Sequence, residues 1–323
     1  MSYRRKVQTL LPDERRPIEE RVKLLLKAAG VKGPPTPTQS IVDCAQMVHV
    51  GEIDLEDFKE SLVQRGLRRL LELADVSQLW RKVKGFFRYD DRVFYVDPTL
   101  HPHQKNHHTF HEAYHAIDPA HEIVSEVIHL DTAQTLSPWA KRKMEREANL
   151  GASLIRFQVD QLQKEARDLP NSLETVCYFA EKFESSIHGA LRHYVEYHGN
   201  VCVMLVFNPT ADVTMSGEPY YTLRYYLPSP RFESCFESSW PERLYPDDKL
   251  FSIVNSALPN QPSCDEIVLA DLSGNRVVCV AQGFHNHYDI LILVFPKPST
   301  QLRKRLLFRI TTDRTNAPTK LAR

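Results

Sequence analysis

The spacing at which apolar residues recur changes once along this chain, near Gly199, and that change limits the possible folds more than any other feature. Before it, apolar residues repeat at helical spacing. From Ile18 to Ala29, for example, Val22, Leu24, Leu25, Leu26 and Ala29 form one apolar face. After it come short runs rich in β-branched and aromatic residues, at 201–207, 220–227, 266–271, 276–282 and 289–295, with one helix at about 246–257 among them. A chain of 323 residues also exceeds the common size of one domain. The expectation is therefore an α+β protein of two domains. Residues 1–198 form a mainly helical domain with a short β-hairpin, and residues 199–323 form a smaller α+β module.

Within the first domain, residues 1–16 are polar and basic and are expected to be flexible. Gly30 stops the first helix, and Gly33-Pro34-Pro35-Thr36-Pro37-Thr38 makes a stiff connector. Helical spacing resumes at 38–49 and 54–80. Phe86, Phe87 and Tyr89, then Val93, Phe94, Tyr95 and Val96, flank Asp90-Asp91 and read as a hairpin. His101, His103, His107 and His108 are placed in a solvated loop leading to a helix from about Thr109. A further helix spans about 138–166, and a helical pair lies at about 172–198. The tail from Lys297 holds eight Lys or Arg and one Asp, and reads as a solvated terminus, with a basic arm as the alternative.

Lys plus Arg equals Asp plus Glu at 41 each, so the overall charge selects neither an acidic nor a basic partner. The six cysteines, at 44, 177, 202, 235, 264 and 279, include no closely spaced pair and suggest no disulfide framework. The basic N-terminus has no apolar stretch behind it, and no run approaches the ~18 apolar residues of a membrane span. The expected setting is the cytoplasm, with reduced thiols and no membrane partner.

Residues 111–115 read His-Glu-Ala-Tyr-His. On a helix, residues four apart share a face, so His111 and His115 can direct two imidazoles at one tetrahedral ion. Glu112 then sits beside the ion, where it can take a proton from a water whose pKa zinc lowers to about 7. More than half of the histidines crowd between 101 and 129, so a polar, His-rich helix face is the competing explanation. A catalytic zinc needs a third protein ligand. Glu145 and Glu147 lie two apart on the next helical stretch, cannot share a face, and so only one of them can coordinate. Ala148, Asn149 and Ala152, at offsets of three, four and seven from Glu145, allow close helix packing on that side.

These residues resemble the ImmA/IrrE family of bacterial metallopeptidases. The resemblance rests on the strand Val93-Phe94-Tyr95-Val96-Asp97, on His111-Glu112-x-x-His115, and on Glu145-x-x-Ala148-Asn149, and it covers roughly residues 18–198. It implies a zincin-like fold, zinc held by His111, His115 and Glu145, and Glu112 as the base. It also implies a helix-turn-helix-like segment, which Val176 to Val195 would supply. The family has Leu-Gly where this chain has Ala113 and Tyr114, and Phe-Ala where it has Gly151 and Ala152. The usual Leu-Leu-Met-Pro is Leu154-Ile155-Arg156-Phe157 here. These departures touch packing rather than ligands. The implied function is cleavage of a helix-turn-helix repressor, which derepresses a stress, DNA-damage or anti-phage operon. Some relatives carry a GAF-like sensor, and residues 199–323 are similar to one in size and texture.

In that second module, the run Tyr220-Tyr221-Thr222-Leu223-Arg224-Tyr225-Tyr226 reads as a strand with ordinary aromatic packing. Stacking on single-stranded DNA, as an activating signal, is the alternative. Cys235 and Cys264, in apparent loops, are candidates for an inhibitory fourth zinc ligand, against inert thiols. Asp118 and His121 read as a turn before Pro119, with orientation of a ligand imidazole as the alternative. The rival to the peptidase is a non-catalytic regulator with a structural metal, which would bind a repressor or DNA and sense a ligand.

Overall fold

The computed structural model describes residues 7, 9–51, 84–122, 138–237, 239–257 and 262–297. The helix expected at 54–80 and the basic tail beyond Lys297 lie outside the described residues. The chain divides into two compact units, Val7–His198 and a second from Gly199 on. Both mix helices with antiparallel or mixed sheets, so the fold is α+β. No described helix is long and apolar enough to cross a membrane.

Helix α1 (Pro12–Ala28) begins earlier than the sequence pattern suggests. Residues 1–16 are therefore not flexible throughout. Pro12 supplies the fixed φ of a first helical turn, Glu14 accepts from the Leu11 N–H at 2.9 Å, and Leu10 is buried in the core. Ile18, Val22, Leu25 and Leu26 face inward, whereas Leu24 is 69% exposed and stands outside the apolar face expected for it. Helix α2 (Thr38–Cys44) is short. Residues 48–49 are not helical but form strand β1 (Val48–His49).

Strands β2 (Gly85–Arg88) and β3 (Val93–Val96) form the expected hairpin, with Phe87 opposite Phe94. β1 pairs in parallel on the other side of β3, so β3 is central. Arg92 turns the hairpin at φ +55° and donates to the carbonyls of Ala45 (2.6 Å), Gln46 (3.1 Å) and Ala116 (3.0 Å). One guanidinium thus satisfies the C-terminal ends of two helices.

Helix α3 (Pro102–Ile117) also starts earlier than expected. His101 caps it, Pro102 occupies its first turn, and His103, His107 and His108 are helical rather than in a solvated loop. The long helix expected at 138–166 is two helices, α4 (Pro138–Phe157) and α5 (Gln161–Ala166). Gln158 and Val159, at φ +53° and +51°, break it between them. Helices α6 (Leu173–Lys182) and α7 (Ile187–Tyr197) form the helical pair, capped by Ser172 and Ser186. Buried Arg156 donates to the carbonyls of Glu184, between these helices, and of His103 (2.7 Å), in the first turn of α3.

The core of this unit joins Ile18, Val22 and Leu25 of α1 to Phe87 and Phe94 of the hairpin, Phe110 and Tyr114 of α3, and Ala148, Ala152 and Ile155 of α4. Gly151 is required there. A Cβ built on it would lie 2.1 Å from the Tyr114 ring, so α3 and α4 approach closely through that glycine.

The second unit contains β4 (Val203–Phe207), β5 (Asp212–Val213), β6 (Pro219–Pro228), α8 (Pro230–Glu233), β7 (Arg243–Leu244), α9 (Lys249–Ser256), β8 (Ser263–Ala270), β9 (Arg276–His285) and β10 (Ile290–Pro296). Its sheet runs β5-β6-β4-β10-β9-β8, with β7 on β6, and every pair is antiparallel. The first and last long strands are adjacent, so Val203, Leu205 and Phe207 meet Ile290, Ile292 and Val294 in the core under Ile253 and Val254 of α9. Cys264 lies in strand β8 rather than a loop and is exposed, while Cys235 is buried after α8.

Candidate metal centre

Helix α3 carries His111, Glu112 and His115 across its second half, and α4 carries Glu145. The close approach at Gly151 brings the two helices together one to two turns away. His111 Nε2 lies 3.2 Å from His115 Nε2 and 3.4 Å from a Glu145 carboxylate oxygen. The donor atoms of all three residues lie within 4.8 Å of one another. Two nitrogens ~2.05 Å from a tetrahedral zinc would be about 3.3 Å apart, so the imidazole pair has the spacing that such an ion requires. The donor set, two imidazoles and a carboxylate, is also one that zinc accepts in catalytic sites.

The electrostatics favour a cation. Burial opposes a charge on His111. The Glu145 hydrogen bond and the negative fields of Glu112 and Glu145 outweigh it and raise the pKa of His111. His107, one turn earlier, is held down to about 3, first by burial and then by Arg156, His108 and His111. Asn149 lies beside the imidazoles of both His107 and His111 and acts to raise the pKa of each, and its amide nitrogen donates to the Glu145 carbonyl of its own helix at 2.7 Å.

Glu112 is buried, and its Oε1 would lie 2.9 Å from a Cβ on Gly85, the first residue of β2. A side chain there would have to displace the end of Glu112, so glycine gives the carboxylate its room. Among the described residues β2 is paired on one side only, by β3.

Behind the donors lies a second polar group. Asp118 sits at the end of α3, and helical backbone resumes at 119–122 with His121. Asp118 accepts from Arg21 of α1, from the Tyr114 hydroxyl at 2.8 Å and from the Ala120 N–H at 3.0 Å. His121, fully buried, places Nδ1 3.0 Å from His115 Nδ1 and Nε2 3.0 Å from a Glu147 oxygen. Asp118 is thus more than a turn former. Glu147, which cannot share the face of Glu145, reaches His121 instead. The spacing Asp118-x-x-His121 directly after the motif was the available signal for this group. Arg21, 93 residues from Tyr114, gave none.

His188 and His193 are not part of the donor group. His193 stacks between Phe157 (4.3 Å) and Tyr197 (4.4 Å) and contacts Ser153 at 3.0 Å.

The chain matches no protein-family model and no curated protein. It is similar to a solved structure described as a Mycobacterium tuberculosis transcriptional regulator, at 11% identity over 86% of each chain with a TM-score of 0.48. A likeness of that size carries no argument about function.

Proposed function

We propose that the first unit is a zinc-dependent endopeptidase of the ImmA/IrrE type, with His111, His115 and Glu145 as ligands and Glu112 as the general base. The observation that carries this reading is the convergence of the two Nε2 atoms, 3.2 Å apart, on a Glu145 oxygen, with the Glu112 carboxylate on the same helix. Bound there, zinc would supply Lewis acidity and lower the pKa of a water to about 7. Glu112 receives the proton of the attacking water and returns it to the leaving amine. Gly85 gives its carboxylate room at the edge of β2, and an extended substrate segment would pair with that edge as an added strand.

The substrate we assign is a helix-turn-helix repressor, whose cleavage would derepress a stress, DNA-damage or anti-phage operon in the cytoplasm. The second unit would act as a GAF-like sensor. An antiparallel sheet of suitable size with a helix on it supports that role. Single-stranded DNA is the proposed activator. Arg243 over the Tyr220 ring (4.6 Å), with Tyr245 beside it (5.8 Å), offers a stacking surface.

The test is metal content by plasma mass spectrometry on wild type and on a His111→Ala/His115→Ala double variant. About one zinc per chain, lost in the variant, is expected. Carefully purified wild type without stoichiometric metal would overturn the reading.

A further inference from the structure

His115 has neighbours at both ring nitrogens, and they form a chain. His115 Nδ1 meets His121 Nδ1 at 3.0 Å, and His121 Nε2 meets the Glu147 carboxylate at 3.0 Å. We infer that His121 and Glu147 are positioning residues that fix the tautomer and ring orientation of His115 for its metal. This deepens the metal-centre reading and rests on it.

The argument is a proton inventory. An ionised carboxylate only accepts hydrogen bonds. A neutral His121 therefore carries its proton on Nε2, where it donates to Glu147, and presents a bare Nδ1. Two Nδ1 atoms bond only when one of them holds a proton, so His115 carries its own on Nδ1 and donates it to His121. That leaves His115 Nε2 without a proton, and Nε2 is the atom facing His111 Nε2 at 3.2 Å. The tautomer a metal ligand needs is thus set from the carboxylate inward. A ligand imidazole commonly makes this kind of second hydrogen bond, which raises its basicity and holds its plane.

Asp118, His121 and Glu147 are close enough to suggest a second ion site. Their polar atoms are already engaged. Asp118 serves Arg21, Tyr114 and the Ala120 N–H, while both His121 nitrogens serve His115 and Glu147. The group is a support. Asp118 pins the turn that carries His121, and the Tyr114 ring lies edge-on to the His121 ring, with centroids 5.6 Å apart. Tyr114 is itself held against Gly151, so ring, turn and ligand are fixed together.

The experiment measures zinc affinity of the full chain by competition with a chromophoric chelator, and the visible absorption of the cobalt-substituted protein. The variants are His121→Ala and Glu147→Gln, with thermal unfolding of the metal-free chain as the control. His121→Ala should bind zinc about 10- to 100-fold more weakly with altered cobalt bands. Glu147→Gln keeps an acceptor and should lose less. Because His121 is fully buried, Glu147→Gln, at a half-buried position, carries the test if the alanine variant does not fold. Wild-type affinity and unchanged cobalt bands in the folded variants would overturn the proposal. So would weaker binding that merely tracks lost thermal stability, with the cobalt bands unchanged. Wild type that binds no zinc would overturn the metal centre itself, a result distinct from either.

Discussion

In the first unit Glu112, His115, Asp118, His121, Arg156 and His193 are buried, most of them in hydrogen-bonded chains that cross between helices. In the second, the described buried polar or charged side chains are Ser229 and Asp289, and the sheet encloses aliphatic and aromatic residues. A buried polar group costs about 1–3 kcal/mol when unpartnered, and its hydrogen bonds return roughly 1 kcal/mol each. The first unit therefore carries polar groups that an apolar core would replace at no loss of stability. The second unit has an ordinary scaffold core, so any chemistry it performs belongs to its loops, edges and exposed face. The difference teaches where a substitution should alter chemistry and where it should alter only folding.

The sharpest break of that contrast is Glu112→Gln. It should leave zinc content unchanged and lower cleavage of the proposed repressor substrate about 100- to 10,000-fold. Cleavage at the wild-type rate would remove Glu112 as the base. Next is Leu205→Ala in the second core, which should cost about 2–5 kcal/mol in denaturant unfolding without changing zinc affinity. A parallel fall in zinc affinity would show that the units share their stability.

Gly151→Ala comes third. The new methyl would meet the Tyr114 ring at 2.1 Å, and that ring is fully buried and held by Arg21 and Asp118. A loss of about 1–3 kcal/mol is expected, despite the ~1 kcal/mol that alanine gains over glycine in a helix. A melting temperature equal to or above wild type would contradict the close approach.

The fourth prediction concerns acid. Burial, then the charges of Arg15 and Arg192, holds His193 down to about 3, against 6.5 when unfolded. The unfolded chain therefore takes up a proton that the folded chain refuses. The stability from His193 is complete above 6.5 and falls as pH drops towards about 3, by up to about 1.4 kcal/mol per pH unit. His193→Phe keeps the stack with Phe157 and Tyr197 and should flatten that fall. Denaturant unfolding at pH 7 and pH 4.5 checks it, and an unchanged pH dependence would exclude His193 as its source. The smallest effect should be at Leu24, 69% exposed on α1, where Leu24→Ser should shift stability by no more than about 0.5 kcal/mol.

Much of this arrangement was legible in the sequence. The apolar, β-branched runs at 276–282 and 289–295 mark strands that are present, and Asp90-Asp91 between two aromatic runs marks the hairpin. The division between the units falls where the apolar spacing changes. Helix starts were less legible. Pro12 and Pro102 each open a helix, yet a proline ahead of an apolar run also reads as a break. The split between α4 and α5 depends on left-handed backbone at Gln158 and Val159, residues that do not advertise it. In the centre itself, the i and i+4 histidines were visible because helix geometry alone joins them. Gly85 against Glu112 and Arg21 on Asp118 were not, since only tertiary packing brings those pairs together.

The contact between Tyr114 and Gly151 also bears on how such a pair can arise. The large residue lies on α3 and the small one on α4, and a fit of the opposite sense, with the glycine on α3 and a large ring on α4, would serve the same close approach. Each intermediate with one exchange made carries either two large residues in one space or two small ones around a void. Neither order of exchange is downhill in stability, so the two positions are locked to each other. A substitution at either position alone therefore acts as a fault, whereas the paired change would be one fitted exchange.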